Sequence, residues 1–241
     1  MGVSTRAQVK ALENQRRIAL HNASSPLLSL PAEIQSEIYS YILGGHLIRI
    51  EYSKDKIFLA QVCRHESYGR WLANGQLPTL GWLSGWILIK SDILFVCKDI
   101  TALAEPILWS QNTFSFMGGR ELSLFIYTQQ IARGNHCLLA MRKVHFELRV
   151  DKPHWDHQLK TCAREMPNLT TVYITSMYLF YSWKFHYYDF NKMIQCMEEW
   201  ENYLKPLATL PLRKALIRIP GNELVQTWTE KMEKQLLKQR E

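Results

Sequence analysis

The sequence predicts a mixed α+β protein: an N-terminal helix and β-hairpin, a helical middle, and a C-terminal irregular strand–helix–strand layer closed by a last helix. Three observations carry this. Apolar residues recur at helical spacing in some stretches and at alternating spacing in others. In the second half the two patterns take turns, as they do where strands pair in parallel through crossover helices. Hydrophobic residues make up 47% and charged residues 21% of the 241 residues, proportions of a packed chain and not of a disordered or collagenous one.

Residues 1–25 are polar and basic, with Arg6, Lys10, Arg16 and Arg17, and read as a basic tail or loosely attached helix. Leu30, Ile34, Ile38, Tyr41 and Ile42 then recur at helical spacing. Pro31 suits a first helical turn, where its missing N–H costs nothing, and Glu33 faces the positive end of the dipole. This assigns Ile34, Ile38 and Ile42 to the core and leaves Leu30 and Pro31 projecting outward. Gly44 and Gly45 stop the helix. Ile48, Ile50 and Tyr52 alternate with Arg49 and Glu51, Ser53 to Lys56 form a turn, and Ile57-Phe58-Leu59 return as the second hairpin strand. Residues 26–62 are thus a helix-and-hairpin unit. Residues 63–90 lose all periodicity among Gly69, Gly75, Pro78, Gly81 and Gly85, with Trp71, Trp82 and Trp86 between them, and form a Gly/Trp-rich loop.

Residues 91–241 make an α/β layer with a closing C-terminal helix. Its first helix runs from Ser91, with Leu94, Cys97, Ile100, Ala104 and Ile107 on one stripe. Asn112 to Phe116 is a short strand and Gly118-Gly119 a turn; Leu122, Phe125, Ile126 and Ile131 mark a helix ended near Gly134. Val144, Phe146 and Leu148 alternate as a strand, and Trp155, Leu159, Cys162 and Met166 follow on a helix. Val172-Tyr173-Ile174, then Met193, Met197, Trp200 and Leu204, then Ala215 to Ile219 repeat the sequence of strand, helix and strand. The unequal intervals exclude a regular solenoid and leave an irregular, leucine-rich-repeat-like layer. Asn222 caps a final helix with Val225, Trp228, Met232 and Leu236 inward.

Lys and Arg total 29 against 22 acids, a formal charge of +7. The excess is dispersed, and the mid-chain cations Arg142, Lys143, Arg149, Lys152, Lys160 and Arg164 are interleaved with Glu147, Asp151 and Asp156. That pattern reads as a solvated basic surface more than a nucleic-acid footprint. Cys63, Cys97, Cys137, Cys162 and Cys196 are odd in number and form no CxxC, so reduced thiols are expected, and with them the cytoplasm or nucleus. His154 and His157 flank Trp155-Asp156, but no ligand set accompanies them, and a cap or surface role is expected in place of a metal. Cys63 and His65 read as structural. No GxSxG, HExxH, P-loop or GxGxxG occurs, so neither an enzyme nor a cofactor is expected.

The segment Tyr178 to Phe190, YLFYSWKFHYYDF, concentrates aromatic rings that no single period accounts for. Rings gathered on a loop give contact area at low entropy cost, which makes Tyr181, Trp183, Phe185 and Tyr187 candidates for partner contact. The other reading is a lid folding its rings onto the sheet.

The stretch from Leu28 to Gly45, which contains SLPAEIQSEIYSYILGG, resembles the F-box-like opening of a large family of uncharacterised fungal proteins, LPxEIRxxIYxYxLGG followed by a short hydrophobic hairpin. Ile93 to Ile100 resembles the family's LLxxCRQI helix, and Leu108 to Phe116 its LLYSxNTFSF strand. The likeness covers roughly residues 26–150. Gln35 stands where Arg is usual and Lys98-Asp99 where Arg-Gln is usual, read as surface positions of helices. In F-box proteins the Leu-Pro-x-Glu-Ile opening docks on the adaptor subunit of an SCF-type ubiquitin ligase while the remainder recruits a protein substrate. The resemblance therefore implies adaptor contacts at Leu30, Pro31 and Glu33. The expected function is non-catalytic protein–protein recognition, as the substrate receptor of such a ligase or as a stand-alone interaction protein; a basic nucleic-acid-binding protein is the third reading.

Overall fold

The computed structural model describes residues 5–53, 56–64, 91–148, 155–175, 190–219 and 223–237. The alternating stretches become β1 (His46–Ser53), β2 (Lys56–Arg64), β3 (Thr113–Phe116), β4 (Lys143–Glu147), β5 (Thr171–Thr175) and β6 (Lys214–Arg218). They form one sheet in the order β2-β1-β3-β4-β5-β6. β1 and β2 are an antiparallel hairpin, and from β1 to β6 every other neighbouring pair is parallel. The hairpin and the C-terminal layer therefore share a sheet, joined where β1 lies beside β3. The fold is mixed α+β.

The register stacks side chains into rows. Ile48, Phe114, Val144, Val172 and Ala215 lie in one row, and Ile50, Phe116, Phe146, Ile174 and Ile217 in the next. All ten are buried in one core with residues of the helices. These helices are α2 (Ala32–Leu43), α3 (Lys98–Gln111), α4 (Gly119–Arg133), α5 (His136–Ala140), α6 (Trp155–Glu165), α7 (Phe190–Leu204) and α8 (Glu223–Leu237). Since a strand's side chains alternate between faces, the shared core places these helices on one side of the sheet. Helix α1 (Arg6–Ala23) stands apart, with its described side chains exposed.

Several expectations hold. Leu159 and Cys162 on α6, Met197, Trp200 and Leu204 on α7, and Val225, Trp228, Met232 and Leu236 on α8 are all buried. Helix α8 also covers the sheet's last edge: Glu233 Oε1 accepts the Ile217 backbone N–H at 2.6 Å and binds Arg218 Nη1 at 3.1 Å. An edge strand with open N–H groups invites pairing with another chain, and a carboxylate aimed at one of them closes that edge.

Other expectations are corrected. The buried stripe of α2 is Gln35, Tyr39 and Leu43, whereas Ile34 is exposed and Ile38 and Ile42 are half-buried. The two stripes share a period and differ by one residue, about 100° around the axis. The side chain of Gln35 hides the inward stripe from a hydrophobicity reading, because its amide bonds the carbonyls of Leu28 and Leu30 at 3.3 and 2.8 Å and can therefore be buried. Gln35 is thus not a surface position, although Lys98 and Asp99 are. The helix expected from Ser91 is broken: a 3-10 turn spans Ser91–Phe95, and α3 starts at Lys98 after an extended Cys97. Gly119 opens α4 and is not a turn residue, Ile131 is exposed, and the five-residue α5 is too short to show a period. Most of the Gly/Trp-rich stretch, Asn222, and the turn residues 54 and 55 lie outside the described residues.

Candidate functional site

The alternation that sends apolar side chains into the core sends a polar set to the second face of the sheet. Its first row is Leu47, Thr113, Lys143, Thr171 and Lys214; its second is Arg49, Ser115, His145, Tyr173 and Leu216; Glu147, Thr175 and Arg218 complete a third. Thr113, Ser115, His145, Glu147, Thr171 and Thr175 are buried, so their polar atoms need partners. Three of them find one another across three strands. Ser115 Oγ lies 2.8 Å from His145 Nδ1, and His145 Nε2 lies 2.8 Å from Thr175 Oγ1.

His145 is held neutral. Burial, and then the positive charge of Arg49 on the same row, push its pKa from 6.5 down to about 3. In a neutral imidazole one ring nitrogen donates and the other accepts, so both nitrogens are occupied by the flanking hydroxyls. In this arrangement His145 has no lone pair left for a substrate and does not change charge near pH 7. It works as a strut between β3, β4 and β5. The unfolded chain protonates His145 below about pH 6.5 and the folded chain only near pH 3. Between those values unfolding takes up a proton, so this residue's contribution to stability is intact above pH 6.5 and falls by about 1.4 kcal/mol per pH unit on acidification. Urea denaturation between about pH 6.5 and about pH 5, where carboxylates titrate little, should register that slope. His145→Gln should flatten it; an unchanged slope in the variant would show that another group is responsible.

Cys97, Cys137, Cys162 and Cys196 are free thiols. Cys162 is fully buried and burial pushes its thiol up to about 12, which makes it inert as a nucleophile. Among the described residues no three His, Cys, Asp or Glu side chains gather as a metal ligand set, and no helix is long and apolar enough to cross a membrane. His157 is exposed on α6.

The residues expected at a partner interface divide in two. Leu30, Pro31 and Glu33 are brought together at the outer start of α2, all exposed. They are continued along the helix by Ile34, 43% exposed, and Tyr41, 89% exposed. Tyr181, Trp183, Phe185 and Tyr187 lie outside the described residues. The second face of the sheet escaped the sequence reading. Its signal was present as polar residues at every second position of β3, β4 and β5, but their meeting depends on pairings 30 residues apart.

A family model described as a domain of unknown function, DUF7730, matches residues 20–239. The chain belongs to the DUF7730 family. No curated protein and no solved structure matches it. The DUF7730 span contains the whole sheet, helices α2 to α8 and all three sequence blocks from Leu28 to Phe116, and it begins within the last turn of α1.

Proposed function

We propose that this DUF7730 chain is a non-catalytic protein-recognition module that docks through the outer face of α2 on the adaptor subunit of an SCF-type ubiquitin ligase. The rest of the chain then holds a protein substrate. The observation that supports the reading is the exposed apolar stripe of Leu30, Ile34 and Tyr41 beside Pro31 and Glu33. Ile34 and Tyr41 are seven residues apart on α2 and share one helix face, and Leu30 lies just ahead of the helix, before its N-cap Pro31. An amphipathic helix presents its apolar face to a partner's hydrophobic groove in this way, and the face carries the Leu-Pro-x-Glu-Ile opening on which the F-box resemblance rests. The inward stripe of Gln35, Tyr39 and Leu43 attaches the same helix to its own core, which leaves the outer stripe available.

The test is binding of the purified chain to purified adaptor subunit. Leu30→Ala combined with Ile34→Ala is expected to weaken the complex at least about tenfold, or about 1.4 kcal/mol. The urea midpoint should barely move, because both side chains are exposed. If the unaltered chain fails to bind the adaptor, the ligase link is lost and a stand-alone recognition protein takes its place.

A further inference from the structure

The geometry points to an oxyanion site, suited to a phosphate group, where strands β4 to β6 begin on the second face of the sheet. Lys143, Thr171 and Lys214 are register partners on three adjacent strands, and Thr113 of β3 extends the row. Neighbouring strands lie about 4.8 Å apart, so the two lysine Cα atoms are separated by about 10 Å with a threonine between them. Their flexible four-carbon stems can bring both ammonium groups over Thr171.

The charge of this row is uncompensated among the described residues. Lys143 Nζ donates to the backbone carbonyl of Gln111 at 3.2 Å, and Lys214 Nζ sits 5.5 Å from the centre of the Tyr173 ring. Lys160, Arg164, Arg218 and Lys231 pair instead with Asp156, Glu165, Glu233 and Glu201. Arg142, which precedes Lys143, gives its guanidinium to the carbonyls of Leu139, Met141 and Asn168. Burial, and then the neighbouring ammonium of Lys214, hold Lys143 below the ordinary lysine range. The negative end of α3 explains why Lys143 rests at Gln111, but it offers nothing to Lys214. A second observation concerns Thr113, whose buried hydroxyl has no hydrogen-bond partner among the described residues.

The donors are therefore two ammonium groups, approaching from opposite sides, and threonine hydroxyls between and beside them. A phosphate presents at least three strong acceptor oxygens and up to two negative charges, enough to engage both lysines and one hydroxyl at once. A lone carboxylate, with two oxygens and one charge, satisfies fewer of them.

Titration calorimetry of the full chain with inorganic phosphate tests this, at constant ionic strength in chloride and at about pH 8, where phosphate is dianionic. Saturable one-to-one binding is expected. Lys214→Ala, Lys143→Met and Thr171→Val should each weaken it about tenfold or more. Lys214 is exposed, so its variant keeps the test valid even if Lys143→Met destabilises the fold. Glycerol phosphate, titrated in parallel, separates the sources: tighter binding of the ester assigns the site to a phosphorylated ligand, and tighter binding of inorganic phosphate assigns it to the free ion. The absence of saturable heat with both probes, or unchanged affinity in both lysine variants, would overturn the site.

Discussion

Replacing Asn112 with alanine is expected to lower stability by roughly 3–6 kcal/mol. Asn112 is fully buried just after α3, and its amide serves three elements at once. Nδ2 donates to the carbonyls of Leu43, the last residue of α2, at 2.6 Å and of Leu108 in α3 at 2.7 Å. Oδ1 accepts the N–H of His46, the first residue of β1, at 2.7 Å. Alanine would leave two buried carbonyls and one half-buried N–H without these partners, at about 1–3 kcal/mol each. Asn112→Asp should be at least as damaging, because it turns a double donor into an acceptor facing two carbonyls. Urea denaturation measures both, and a loss below about 1 kcal/mol for alanine would show that the clamp is dispensable. The neighbouring glycines answer to the same clamp. A Cβ on Gly44 would collide with the Gln111 side chain and lie 2.7 Å from the Ser40 carbonyl oxygen, and Gly45 has a φ of +75°, which glycine adopts without strain. Gln111 Nε2 also donates to Ser40 Oγ at 2.9 Å. The Gly-Gly and Asn-Thr-Phe blocks of the sequence, nearly seventy residues apart, are thus two halves of one joint.

Phe146→Ala is expected to cost about 3–5 kcal/mol. The ring is fully buried on β4, its centre 6.2 Å from Phe116 and 5.7 Å from Trp155, the latter nearly edge-on. Phe116 in turn packs 5.4 Å from Phe125 of α4, so the ring links the sheet to two helices. Removing it forfeits the transfer energy and leaves a cavity that rigid neighbours fill only in part. Phe95→Ala, at a side chain 76% exposed, is the control and should change stability by less than about 0.5 kcal/mol. A similar small loss at Phe146 would mean that the surrounding rings repack.

Much of this architecture was legible before any coordinates. The strands from β3 to β6 and the helices α6, α7 and α8 appear where period 2 and period 3.6 place them, because each presents one apolar side to a single core and burial writes that side into the sequence. The sequence places Leu30 and Pro31 facing outward, and both are exposed. The rotation of α2 was not legible. Ile34-Ile38-Ile42 and Gln35-Tyr39-Leu43 are equally helical stripes, and the choice between them rests on α3, against which α2 packs, and on the carbonyls that satisfy Gln35.

The sequence by itself determined the mixed α+β class, the identity of most elements and the apolar faces of β1 and β4. Only the tertiary structure decided that the hairpin continues the C-terminal sheet, that Ser115, His145 and Thr175 join in one hydrogen-bonded line, and that Lys143 and Lys214 face the same way across Thr171. The reason is physical. Periodicity reports which of two faces a side chain takes, a property of its own strand. Which strand lies beside it, and in what register, is settled by backbone hydrogen bonds between segments separated by whole helices, and no local pattern records that pairing.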